Sequence, residues 1–123
     1  MTFINYVVKL PHKKVGIMDN EKIIELKAEI LKALGHPTRL AIVEMLAEGE
    51  KCVCKINDQI DADHSTISKH LSILKQVGLL SDRKQGLNVY YKLEVPCVMN
   101  FIGCITSVIE SRANSELKAL KSE

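Results

Sequence analysis

The stretch Asp63-His64-Ser65-Thr66-Ile67-Ser68-Lys69-His70-Leu71-Ser72-Ile73-Leu74-Lys75-Gln76-Val77-Gly78 decides how this chain is read. Ile67, Leu71 and Leu74 recur at i, i+4 and i+7, which is one face of an α-helix. Ser65 or Asp63 can cap its start, and Gly78 followed by Leu79-Leu80 can end it. The opposite face holds Thr66, Ser68, Lys69, His70 and Ser72, which are hydroxyls and cations with no acid among them. A solvated helix normally mixes signs so that Glu can pair with Lys. A hydroxyl-rich, basic face instead suits a surface of phosphates and base edges. An ordinary amphipathic helix shares the periodicity, so the flanks decide.

Upstream, Cys52 to Ile60 reads as a short helix and Asp61 to His64 as a tight polar connection. A helix, a short turn and a second helix with a bare polar face make a helix-turn-helix, whose second helix enters the major groove. Downstream, Leu80 to Arg83 and Leu87 to Leu93 are strand-like runs around a turn at Lys84-Gln85-Gly86. In the second run Leu87, Val89, Tyr91 and Leu93 alternate with Asn88, Tyr90 and Lys92, the period of a half-buried strand. Arg83, Lys84 and Gln85 then sit at a hairpin tip beside the recognition helix. The expected fold is mainly α with a small β-hairpin wing: a winged helix-turn-helix of about five helices.

Leu34-Gly35-His36-Pro37-Thr38-Arg39-Leu40, Cys52-Val53-Cys54, Ser65-Thr66-Ile67-Ser68-Lys69-His70-Leu71 and Gly86-Leu87-Asn88-Val89-Tyr90-Tyr91 together resemble the ArsR/SmtB family. The resemblance runs from about residue 23 to about residue 110. It implies a homodimeric repressor that sits on operator DNA and lets go when an inducer, a metal ion or thiol chemistry, acts on it. The Cys-Val-Cys motif is most similar to the arsenite-responsive branch. The chain departs from that branch's commonest pattern, because Asn57 stands where a third cysteine is usual.

Bulk properties agree. A chain of 123 residues with net charge +2 fits one domain. Residues 19–63 carry ten acids and six bases, whereas residues 64–93 carry one acid and five bases, so positive charge gathers on the helix and wing. No apolar run is long enough to span a bilayer, and no secretory signal opens the chain. Four cysteines in that setting point to a reducing cytoplasm and to ligand or redox use.

Residues 1–18 read as an N-terminal arm, extended or disordered, with Met18 an alternative natural start. Residues 19–112 form the DNA-binding and dimerisation domain. Its first helix is capped by Asp19 or Asn20 and carries Ile23, Leu26, Ile30 and Leu34 on one face. Pro37 opens a second helix that buries Leu40, Ile42, Val43, Met45, Leu46 and Ala47. Arg39 either pairs with a helical acid or touches phosphate. Pro96 opens a last helix with Val98, Phe101, Ile102, Ile105, Val108 and Ile109, too apolar to stay in water, so it is expected to dimerise. Residues 113–123 read as a polar, fraying tail.

The cysteines carry the chemistry. Side chains two apart on a regular helix diverge by about 200°, so Cys52 and Cys54 cannot share one buried stripe. In an extended or first-turn backbone the two thiols can converge, where unpaired helix N–H groups favour thiolate. Thiolates select soft ions: arsenite or antimonite as As(III) or Sb(III), or cadmium, lead and zinc. A third thiolate is expected from Cys97 or Cys104. The alternative is a redox or persulfide sensor of the same fold. His12, His36, His64 and His70 leave the last helix without histidine, so the family's Asp/His zinc site there cannot form. No arrangement reads as catalytic. Ser65, Thr66, Ser68, Lys69 and His70 are expected in the major groove, with Arg83, Lys84 and Gln85 on phosphate or the minor groove.

Overall fold

The computed structural model describes residues 19–121; the expected N-terminal arm and the alternative start at Met18 lie outside them. Five helices and three strands run in the order α1 (Asn20–Leu34), α2 (Pro37–Ala47), β1 (Lys51–Cys52), α3 (Val53–Gln59), α4 (His64–Gln76), β2 (Leu80–Gln85), β3 (Asn88–Leu93) and α5 (Val98–Lys121). Asp19 caps α1 by accepting from the Lys22 N–H at 2.9 Å, and Pro37 occupies the first turn of α2.

The helix α4 is held by the pattern that announced it. Ile67, Leu71 and Leu74 are at most 1% exposed. They pack with Ile42, Val43 and Leu46 of α2, Ile56 of α3, Leu80 and Leu93 of the sheet, and Ile102 of α5. Asp63 is the N-cap residue but makes no side-chain cap bond, and Ser65 lies inside the helix. At the other end Gly78 takes φ +88°. Its N–H reaches the Lys75 carbonyl at 3.0 Å while the Leu79 N–H reaches Leu74 at 3.1 Å. That is a Schellman ending, which turns the chain directly into β2.

Several expectations need correction. The sheet has three strands in the order β1-β3-β2, not two. Lys51 and Cys52 pair with Tyr91 and Tyr90, so the approach to α3 belongs to the wing's sheet. A two-residue strand is too short to show a period. The hairpin turn falls at Gly86-Leu87, not Lys84 to Gly86, because β2 continues to Gln85 opposite Asn88. Gly86 has φ +64° and Leu87 does not share the positive region, the pattern of a II′ turn. Leu87 is therefore fully exposed at the tip rather than on the buried face. Ala47 is exposed at the end of α2. Residues 113–121 continue α5 instead of fraying, since Ala113, Glu116, Leu117, Lys118 and Ala119 are strong helix formers.

Candidate nucleic-acid interface and thiol site

One face of α4 is open. Ser65, Thr66, Ser68, Lys69 and Ser72 line a shallow groove along it, and all are exposed. The helix presents short donors and one ammonium to solvent, with its axis fixed by the core behind.

His70 is not on that face. It is 8% exposed, and about 100° per residue places it about 40° beyond Leu74, at the edge of the apolar stripe. Arg39 Nη1 lies 3.1 Å from His70 Nδ1. Arginine stays protonated and donates, so Nδ1 accepts and the imidazole proton sits on Nε2. Arg39 Nε also donates to the Ala33 carbonyl at 2.5 Å, so Arg39 is tied into the fold through a carbonyl and a histidine rather than through the expected helical acid. The ring of His36, whose Nδ1 caps α2 by accepting from Thr38 N–H at 3.1 Å, lies 4.4 Å from that of His70. The cluster pins the end of α1, the start of α2 and the middle of α4 together.

Burial first, then the charges of His36, Arg39 and Lys69, hold His70 below its ordinary value of 6.5. The unfolded chain therefore takes up the proton more readily. The stability this adds is complete above that value and is lost as pH falls below it. His70→Asn, whose Oδ1 keeps an acceptor at the Nδ1 position for Arg39 but cannot titrate, should flatten the change in urea midpoint between about pH 7 and about pH 5. An unchanged pH profile in that variant would remove His70 as the cause.

The wing departs from expectation at Arg83. Its Nε and Nη2 donate to the Glu50 carboxylate at 3.0 and 2.6 Å, and its guanidinium carbon lies 4.6 Å from the centre of the Tyr90 ring. Arg83 is thus braced against the body of the sheet rather than held free at the tip. Lys84 and Gln85 are exposed on the outer end of β2. Lys75 at the end of α4 bonds Asp82 of β2 at 2.9 Å, fixing recognition helix and wing relative to each other.

The thiol pair lies at the junction of β1 and α3. Cys52 has extended dihedrals, φ −71° and ψ 155°, and its Sγ accepts from the Lys55 N–H. That break in the backbone undoes the helical divergence of two residues two apart. The Cα atoms of Cys52 and Cys54 are 5.3 Å apart and the sulfurs are joined as a disulfide. Cys97, in the turn before α5, and Cys104, within it, are free and exposed. Among the described residues no three His, Cys, Asp or Glu side chains converge as a metal site. Asn57 has a buried Oδ1 without a protein partner.

Helix-turn-helix, wing and exposed polar recognition face define a winged helix-turn-helix DNA-binding protein. A family model, the bacterial regulatory proteins of the arsR family, matches residues 36–82. An uncharacterised HTH-type transcriptional regulator of Methanocaldococcus jannaschii is 54% identical over 69 residues, 54% of this chain and 78% of that one. The arsenical resistance operon repressor of Escherichia coli is 46% identical over 69 residues, covering 55% of this chain and 59% of the repressor. The homodimeric winged helix-turn-helix DNA-binding domain of a Mycobacterium bovis protein superposes with TM-score 0.67 at 26% identity, covering 82% of this chain and 95% of that one. The chain belongs to the ArsR family of transcriptional regulators. No helix among the described residues is long and apolar enough to cross a membrane.

Proposed function

We propose that this regulator is a homodimeric repressor that holds operator DNA and releases it when a thiophilic ion, arsenite or antimonite, bridges Cys52 and Cys54. The observation that carries the reading is the convergence of these two sulfurs at the start of α3, the helix preceding the recognition helix. Ser65, Thr66, Ser68 and Lys69 read the major groove; Lys84 and Gln85, with Arg83 once freed, meet the backbone. A third thiolate is assigned to Cys97 or Cys104 of a second copy, since one chain does not bring three donors together among its described residues. The arsenical resistance repressor among its relatives supports the choice of ion.

Dimerisation is assigned to α5 with α1. An apolar groove of about 290 Å³ runs between them, lined by Ile30, Leu31, Leu34, Val98 and Phe101 with the stem of Lys27. The homodimeric state of the Mycobacterium bovis domain supports a dimer.

The test is to titrate arsenite into operator-bound protein in excess reductant, following release by fluorescence anisotropy. Release at a fixed ratio of ion to dimer is expected; no release in reductant would end the ion reading. A second reading has its own observation, the joined sulfurs. There a peroxide oxidises two thiols to one disulfide and is reduced to two waters. Release by peroxide but not by arsenite would establish it.

A further inference from the structure

The guanidinium of Arg83 is occupied in the free protein. Nε donates to both oxygens of Glu50, at 3.1 and 3.0 Å, and Nη2 donates to Oε1 at 2.6 Å. Nη1 donates to Gln85 Oε1 at 2.5 Å, while the Tyr90 ring covers one side. The pair nevertheless sits at the surface, since the Arg83 side chain is 49% exposed and that of Glu50 is 31% exposed.

What brings Glu50 there is the strand that periodicity could not show. Glu50 immediately precedes β1, whose Cys52 stands opposite Tyr90, and Tyr90 stands in turn opposite Arg83. One row across the sheet therefore contains the thiol residue, the aromatic platform and the wing arginine. The next row, Lys51-Tyr91-Asp82, ends on Lys75 of the recognition helix. The Arg83 hydrogen bonds hold the Glu50 carboxyl below its ordinary value, so it is anionic near neutral pH.

We propose that Glu50 is a built-in competitor for DNA phosphate: it occupies Arg83 in the free protein, and the wing engages the DNA backbone by exchanging this carboxylate for a phosphate. The inference rests on the DNA-binding reading above. Glu50 is then a positioning residue that sets the wing's share of affinity without touching DNA. When Arg83 moves to phosphate it displaces a counterion from DNA, and because salt also screens the exposed Arg83–Glu50 pair in the free protein, opening that pair offsets part of the wing's salt dependence.

The test measures binding of the full chain to a mixed-sequence duplex over a salt series, for wild type, Glu50→Gln, Arg83→Ala and the double variant. Glu50→Gln keeps the side chain's size and an acceptor for Arg83 but removes the charge. It should bind about two- to fivefold more tightly at low salt, the scale of releasing one exposed ion pair. Its salt slope should steepen by a fraction of the roughly 0.9 that one phosphate contact contributes. Arg83→Ala should bind more weakly, and the double variant should match it. A purely structural Glu50 would instead weaken binding and lower the melting temperature in both Arg83 backgrounds. Glu50→Gln binding no more tightly than wild type, or the double variant exceeding Arg83→Ala, would overturn the proposal. Arg83→Ala binding like wild type would overturn it while leaving the α4 reading intact. Absence of salt-dependent binding by wild type would remove both.

Discussion

Phe101→Glu/Ile105→Glu is expected to leave the protein monomeric at micromolar concentration and to cost operator binding about 10²–10⁴-fold, the avidity of two linked half-sites. Phe101 and Ile105 are 45% and 44% exposed in the single chain, with Val108 at 58% and Leu31 at 51%. Covering a large apolar side chain completely stabilises by roughly 1.5–3 kcal/mol, so covering the half that is open adds about 1 kcal/mol apiece, twice over in a symmetric pair. A carboxylate in that interface reverses the term, because burying an unpaired charge is costly. The fold should survive, since Ile102, the one buried residue of α5, is untouched. Sedimentation and circular dichroism check the two halves of the expectation. A variant that stays dimeric, or a monomer with full operator affinity, would move the interface elsewhere.

What the sequence shows about the fold is whatever repeats over several turns. The faces of α1 and α4, Pro37 at the head of α2 and Gly78 after α4 each leave a local signature, and each is where it was expected. The strand β1 leaves none. Two residues carry no alternation, and their partners Tyr90 and Tyr91 lie far along the chain. The length of α5 was obscured for the opposite reason. Its last turns are polar enough to resemble a tail, yet helix propensity, not burial, is what sustains them.

At the candidate site the side chains that deceive are those whose chemistry suggests one role and whose position dictates another. His70 looks like a groove contact by type, but its angle on the helix places it beside Leu74 at the edge of the apolar stripe, where Arg39 satisfies its Nδ1. The helical wheel alone held that information. Arg83 was legible as a wing cation, but its carboxylate partner lies 33 residues earlier and arrives only through β1. Cys52 and Cys54 were legible as a converging pair because a helix start permits what a helix interior forbids, and the extended backbone at Cys52 provides it.

Cys52→Ser/Cys54→Ser is expected to bind operator as wild type does and to lose release by arsenite altogether. Serine at Cys52 still offers an acceptor to the Lys55 N–H, so the start of α3 is kept. What disappears is the pair of soft donors. Two thiols and As(OH)₃ condense to a dithiolate that retains one hydroxyl, with two waters released, and a third thiolate displaces that hydroxyl as a further water. Hydroxyls at the same positions offer hard oxygen in place of the soft sulfur that the ion selects. The size of the effect follows from population arithmetic. Moving a repressor from mostly bound to mostly released takes about 10⁴-fold tighter ion binding to the released state, and losing the two donors removes the source of that preference. Cys97→Ser and Cys104→Ser, made singly, identify the third donor as whichever reduces the response without abolishing it. Normal release by the Cys52→Ser/Cys54→Ser protein would instead move the sensor onto α5, and wild-type release that needs an oxidant would assign the pair to disulfide chemistry.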